Sequence, residues 1–246
     1  REKFMTACDG HATERVLDTV FGKEALAAHR REKPLSGAFH TVPKAPRRSE
    51  ETLAARMRAY FFGSYLPRVY RRAAKRPVTD TAVFLQYRGR TEREDFALLR
   101  RVVSEAMPGL ACRTLLLSRN VAGGLRYLRR CRDAVREIAC ARVLVTAETI
   151  PAVTALPLRG ETVHLRLPSA VYPLHEFGRA KLSYLGGYRQ PFGQDPYANV
   201  TLAPAPASSL APLFSAACGG RAPVLGAPLL DLLRDGEYAA AARAQL

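Results

Sequence analysis

Acidic residues are scarce in this chain: 22 Asp and Glu stand against 38 Lys and Arg, a formal charge of +16 with an isoelectric point near 10.2. Such an imbalance draws polyanions, and the candidates are nucleic acid, an anionic membrane surface or a phosphate-rich substrate. Arginine outnumbers lysine and its planar fork suits bidentate phosphate contacts, yet Arg-rich composition also accompanies GC-rich genomes, so charge permits these partners without choosing one. Cysteine is sparse and unpatterned. Cys8, Cys112, Cys131, Cys140 and Cys218 form no Cys-x-x-Cys pair, and an odd number without metal-ligand spacing argues for reduced thiols in a cytosolic compartment. There is no apolar run of about twenty residues and no charged-then-apolar leader, so no span or secretion signal is visible. The start at Arg1, without Met, is what a piece of a longer polypeptide would have.

The familiar catalytic and cofactor signatures are also missing. No Gly-x-Ser-x-Gly elbow and no Cys beside a His supports a hydrolase. The first candidate strand is followed by "YRGRTERED", one glycine among charges, instead of Gly-x-Gly-x-x-Gly, which argues against a dinucleotide cofactor. His11, His29, His40, His164 and His175 are far apart and lack zinc spacing, so no metal site is written and no cofactor is called for. An RNA-binding aromatic consensus, a zinc finger and a helix-turn-helix signature are likewise not found, which leaves a basic nucleic-acid-binding module supported by charge alone.

What is present is a regular alternation. With 48% apolar residues in 246, the chain can bury a sizeable core. From Thr81, "TAVFLQY" reads as a strand, and "EREDFALLRRVVSEAMPG" as a helix with Phe96, Leu99, Val102, Val103 and Ala106 on one face and Pro108-Gly109 as its stop. "ACRTLLLS" is a second strand, "GGLRYLRRCRDAVREIACA" a helix with an arginine-rich outer face, and "RVLVTAE" a third strand. "ETVHLRL", "NVTLAPA" and "APVLGAP" are shorter strand candidates, and "SSLAPLFSAACGG" is a small helix with its own glycine stop. Strands separated by helices of this length predict βαβ crossovers: a Rossmann-like parallel-sheet α/β domain over residues 81–230. Its sheet core should hold Val83, Phe84, Leu115, Leu116, Val143, Leu144, Val145 and Val163.

Residues 1–80 read as a basic, aromatic-containing segment, a proline-punctuated linker followed by a helix starting near Ser49. Tyr60, Phe61, Phe62, Tyr65, Leu66, Val69 and Tyr70 alternate there with arginines, and Pro67 interrupts the pattern. An interfacial helix on anionic lipid uses such a mixture, and Phe61 and Phe62 would then be its inserting side chains. A helix packed on the core with solvated arginines uses it too, and is the commoner arrangement.

One stretch gathers polar chemistry at a strand end: "RLPSAVYPLHEFG", Arg166 to Gly178, where open α/β sheets bind their ligands. With the segments "PYANVTLAPAPASSLAPLFSAACGG" and "APVLGAPLLDLLRDGEYAAAARAQL", it makes the last third of the chain resemble the amino-terminal half of CDP-glycerol glycerophosphotransferases, the teichoic-acid polymerase and primase family. In that family a strand runs into Gln-Leu-Trp-His-(Ala/Gly), then Lys-Lys-Phe-Gly, a strand with Ser-Ser-Glu, a helix ending in Ala-Phe-Gly and a Gly-x-Pro-Arg-x-Asp turn. Gly226, Pro228 and Asp231 keep that turn, with Leu229 in place of its arginine.

The resemblance implies the N-terminal half of a GT-B glycosyltransferase-like fold. Residues 231–246 would be a helix leading to a nucleotide-binding domain beyond the end of the chain, and the fragment alone would be inactive. It implies transfer of an alditol phosphate from CDP-glycerol, or another CDP-alditol, to a lipid-linked anionic wall or capsule polymer. The protein would be cytoplasmic and peripheral on the inner face of the plasma membrane, contacting anionic lipid and no specific nucleic acid. Phe177, Gly178, Gly226, Pro228 and Asp231 would be substrate-binding. Aligned on Phe177-Gly178, the family's Trp-His falls on Pro168-Ser169, and its Lys-Lys on His175-Glu176. The family histidine would be the base that takes the acceptor hydroxyl's proton, a task an unaided serine does not perform. Three readings stay open: His175 substitutes as base beside Glu176 and Ser169; the site is degenerate and the chain only binds polymer or a partner; or the chemistry has moved to another sugar or alditol phosphate.

Overall fold

Four apolar runs form a single sheet in the computed structural model, which describes residues 7, 9–22, 53–118, 124–167, 195 and 197–234. The strands are β1 (Thr79–Gln86), β2 (Ala111–Leu116), β3 (Ala141–Thr146) and β4 (Val163–Arg166), in the order β2-β1-β3-β4. All neighbours run parallel, as crossover connections require. Thus the α/β fold with a parallel sheet is the one expected. The runs at 200–205 and 221–225 extend this order only as isolated bridges, Leu165 to Leu202, Leu202 to Arg221 and Ala205 to Val224. Pro204, Pro206 and Pro223 explain the brevity, since proline cannot donate to a ladder.

Alternation along β1 divides the interior into two cores. Val83 and Leu85 face one side with Leu144, Tyr127, Cys131, Val135 and Ile138. Ala82 and Phe84 face the other with Phe96, Leu99, Val103, Val143, Val145, Val163 and Leu165. Phe84 meets Phe96 edge-on at 5.7 Å between ring centres, a geometry that adds about 0.5–1.5 kcal/mol beyond area burial. Of the expected sheet core, Val83, Phe84, Val143, Leu144, Val145 and Val163 are fully buried. Leu115 and Leu116 are only half-buried, because β2 is an edge strand with a neighbour on one side.

Helices cover both faces. From the first 80 residues come α1 (Ala12–Val16), continued by a π-helical turn at Leu17–Phe21, then α2 (Leu53–Tyr60), a second π turn (Phe61–Tyr65) and α3 (Leu66–Ala73). Between strands lie α4 (Glu94–Ala106), α5 (Gly124–Ile138) and α6 (Pro151–Thr154); α7 (Ala211–Cys218) and α8 (Pro228–Arg234) follow the sheet. Helix α7 ends at Gly219, whose φ of 71° is the left-handed conformation expected of its glycine stop. Pro67 does not break the helix around it. It sits in the first turn of α3, after the π turn, where the wider winding relieves the clash its ring would make with a carbonyl one turn back.

The N-terminal segment belongs to both cores. Val16, Val20 and Phe21 pack with Phe84 and Phe96, while Phe62, Leu66, Tyr70 and Ala73 pack against α5. Arg68, Arg71 and Arg72 point outward, so this part of the segment is the core-packed helix with solvated arginines. Phe62 is buried in the core and Phe61 is half-buried against it, as the core-packed alternative expects of Phe62. In α2 nothing is buried, and Leu53, Met57 and Tyr60 are exposed. Aromatic contacts fix the direction of this helix run. Phe62 lies 6.3 Å from Tyr127 and Tyr127 lies 6.3 Å from Tyr87, the residue just past β1, whereas Cys140, just before β3, approaches the Ala73 carbonyl. Helix α2 is therefore at the carboxyl edge of the sheet and the end of α3 at its amino edge. Among the described residues, no helix is long and apolar enough to cross a membrane.

Candidate functional site at the carboxyl edge of the sheet

Parallel strands deliver their following loops to one edge, where ligands of open α/β folds bind. Here the loops after β1 and β3 meet there, beside the end of β4. The first of them is closed upon itself. Gln86, buried at the end of β1, donates to the carbonyls of Arg88 and Thr91 and accepts from Arg93 N at 2.9 Å. The amides of Tyr87 and Arg88, which a dinucleotide-binding loop would turn toward a pyrophosphate, donate instead to Glu148 Oε1 at 2.8 and 2.7 Å. Arg88 adds a 3.5 Å ion pair to the same carboxylate. Arg93 is held by a fork of 2.9 and 2.7 Å bonds to Asp95. Among the described residues, the cations of this loop thus have carboxylate partners, except the exposed Arg90.

The end of β4 differs. Arg166, half-buried, takes part in none of the ion pairs among the described residues. Its guanidinium carbon lies 4.9 Å from the ring centre of Tyr197, and one of its nitrogens is 3.4 Å from Thr149 Oγ1 in the loop after β3. Tyr197 is buried, and its backbone N–H donates to Asp195 at 2.9 Å. Behind this group runs a polar chain. His164 Nδ1 faces the carbonyl of Asn199 at 3.2 Å and Nε2 faces Thr146 Oγ1 at 2.8 Å. A carbonyl only accepts, so Nδ1 carries the proton and Nε2 accepts from the hydroxyl. Asn199 donates in turn to the Leu156 carbonyl at 2.7 Å. His164 is therefore a buried strut holding the 197–200 segment, and with it the Tyr197 ring, against the strand ends.

Sequence reasoning passed over Arg166, Thr149 and Tyr197. A basic residue closing the run "VHLR" was the available signal, since an otherwise apolar buried strand rarely ends so without a partner for the charge. The residues singled out from sequence divide into two sets. Ser169, His175, Glu176, Phe177 and Gly178 lie outside the described residues, in the stretch that β4 leads into. Gly226, Pro228 and Asp231 lie together at another place, beside α1. Gly226 has a φ of 87°, and a Cβ there would press on the Ala7 carbonyl oxygen. Pro228 opens α8. The Asp231 carboxylate accepts from Ala12 N at 3.1 Å and from Thr13 N and Oγ1 at 2.6 and 2.7 Å, capping α1.

Other clusters offer less chemistry. A cleft of about 430 Å³ beside β2 mixes Arg90 and Arg130 with Asp133 and Glu137, so its charges offset. Burial pushes the Cys131 thiol up to about 11 and also raises that of Cys112, which disfavours the reactive thiolate at both. Among the described residues, no group of three His, Cys, Asp or Glu is placed to hold a metal ion. Compared with known proteins, the chain matches no family model and no curated protein.

Proposed function

We propose that this chain is the acceptor-side domain of a CDP-glycerol, or other CDP-alditol, phosphotransferase, in the N-terminal half of a GT-B-like fold. The observation that carries the reading is the position of β4. It ends at Arg166, where the family-like stretch 166–178 begins, on the ligand-binding edge of a parallel sheet. In this reading the stretch receives the hydroxyl of a lipid-linked anionic polymer, and the cationic surface holds its phosphates. The exposed apolar side chains support a peripheral place on the inner face of the membrane. Leu53, Met57 and Tyr60 are exposed on α2 beside Arg56 and Arg58, at the edge of the sheet where β4 ends, so in this reading anionic lipid and a lipid-linked acceptor are met together.

A second reading, a relative that binds the polymer or a partner without turnover, is favoured by Pro168-Ser169 standing where the family has Trp-His. The two separate in a turnover assay of the full-length protein with CDP-glycerol and a lipid-linked acceptor. If His175 is the base, His175→Ala lowers turnover by about 10²-fold or more. Absence of turnover in the unmodified protein, with polymer still bound, establishes the binding reading instead.

A further inference from the structure

We infer that Arg166, Thr149 and Tyr197 form a phosphate-binding position at the carboxyl ends of β3 and β4. A guanidinium has five N–H donors, and the only side-chain hydrogen bond Arg166 makes among the described residues is a long one, 3.4 Å to Thr149 Oγ1. Half-buried and without a carboxylate partner among the described residues, the charge has lost part of its water and gained no counter-ion from them, an arrangement that costs free energy unless an anion completes it. The nearby acids among the described residues are engaged elsewhere. Glu148 is occupied by the amides of Tyr87 and Arg88 and by the Arg88 guanidinium, and Asp195 accepts from the Tyr197 amide.

The site is also held in advance. Contact with the Tyr197 ring at 4.9 Å restrains the guanidinium, and the segment carrying Tyr197 is held by the His164–Asn199 chain behind it. An arginine so fixed loses little side-chain freedom on binding and presents its fork edge to two oxygens of a tetrahedral anion. Thr149 Oγ1 stands beside it; its hydroxyl faces Tyr197 Oη at a long 3.5 Å and, by rotating, donates to a third. The chemistry selects a phosphate group, free or as part of a diester or diphosphate. The inference does not depend on transfer activity: a domain that binds phosphate and transfers nothing satisfies it.

The test is calorimetric titration of the chain with inorganic phosphate and with pyrophosphate at fixed ionic strength, using malonate as the carboxylate control. Arg166→Gln should weaken pyrophosphate binding by at least about tenfold, and Tyr197→Leu by about three- to fivefold. Arg129→Gln, on the solvated face of α5, should change it by less than about twofold. Arg166→Lys guards against a folding defect: it keeps the charge but not the fork, and should fall between wild type and Arg166→Gln. Unchanged binding in Arg166→Gln overturns the inference, as does equal weakening by Arg129→Gln, which would mark surface screening. Malonate binding as tightly as pyrophosphate overturns the choice of phosphate. Turnover results bear on the proposed function and leave this outcome untouched.

Discussion

The carboxylate of Asp231 binds both the backbone N–H and the hydroxyl of Thr13, two residues 218 positions apart in the chain. With the third bond from Ala12 N, it caps the first turn of α1 and ties α8 to the opposite end of the sequence. Gly226 serves the same junction from the other side. Its positive φ and its contact with Ala7 let the chain pass over the start of α1.

Asp231→Ala should therefore lower the free energy of unfolding by about 1–2 kcal/mol, the scale of a lost N-cap. Gly226→Ala should cost more, roughly 2 kcal/mol or above, because it adds left-handed strain to a clash with the Ala7 carbonyl and with Ala12 Cβ at 2.7 Å. Urea unfolding of the two variants measures both. Neither should alter pyrophosphate affinity, since the junction shares no residue with the Arg166 position. A loss of less than about 0.5 kcal/mol in Asp231→Ala would show that the cap adds nothing to stability.

Acid should act through Glu92. Burial raises its carboxyl, but hydrogen bonds from Arg100 and Thr114 and the Arg100 charge outweigh that and hold it below the ordinary 4.5. A group lowered on folding contributes stability that is complete above its unfolded value and lost as pH falls through its folded one. The stability gap between wild type and Glu92→Gln should be widest near neutrality and close as pH drops below 4.5. Parallel urea titrations across that range measure it; a gap independent of pH would mean the ionised carboxylate is not what the pair with Arg100 requires.

Vesicle binding separates the two halves of the aromatic helix. Leu53→Ser with Met57→Ser should weaken binding to anionic vesicles by about tenfold or more at low salt, because apolar area leaves the interface while the charge is unchanged. Phe62→Ser should act on stability, by about 3 kcal/mol, since that ring is in the core. Co-sedimentation and melting curves distinguish these outcomes. Unchanged binding in the Leu53, Met57 double variant would leave only nonspecific electrostatics.

Much of the architecture was legible in the residue order because its causes are local. Runs such as "AVFL" and "VLV" are continuously apolar and β-branched or aromatic in part, which suits a strand covered on both faces, and the 3.6-residue spacing of Phe96, Leu99 and Val103 suits a helix lying on them. The stop at Gly219 is equally local. Where the reading failed, the deciding contact was long-range. Leu115 and Leu116 share the composition of a central strand, but strand order put β2 at the edge. For Phe62 the sequence allowed both an inserting and a core-packed ring, with the core-packed one the commoner, and contact with Tyr127 of α5 decided for the core.

By itself, then, the sequence determined the α/β class, the parallel pairing, most of the core and the cationic surface, because period, composition and loop length each act over a few residues. Only the tertiary structure decided what the polar groups do. It turned Asp231 into a cap for α1 and His164 into a strut, and it brought Arg166, Thr149 and Tyr197 from three separate segments to one point with no acid among them. The physical reason is that a charge's role depends on its counter-charge and its burial. Both are set by which strand ends become neighbours, and no local pattern encodes that.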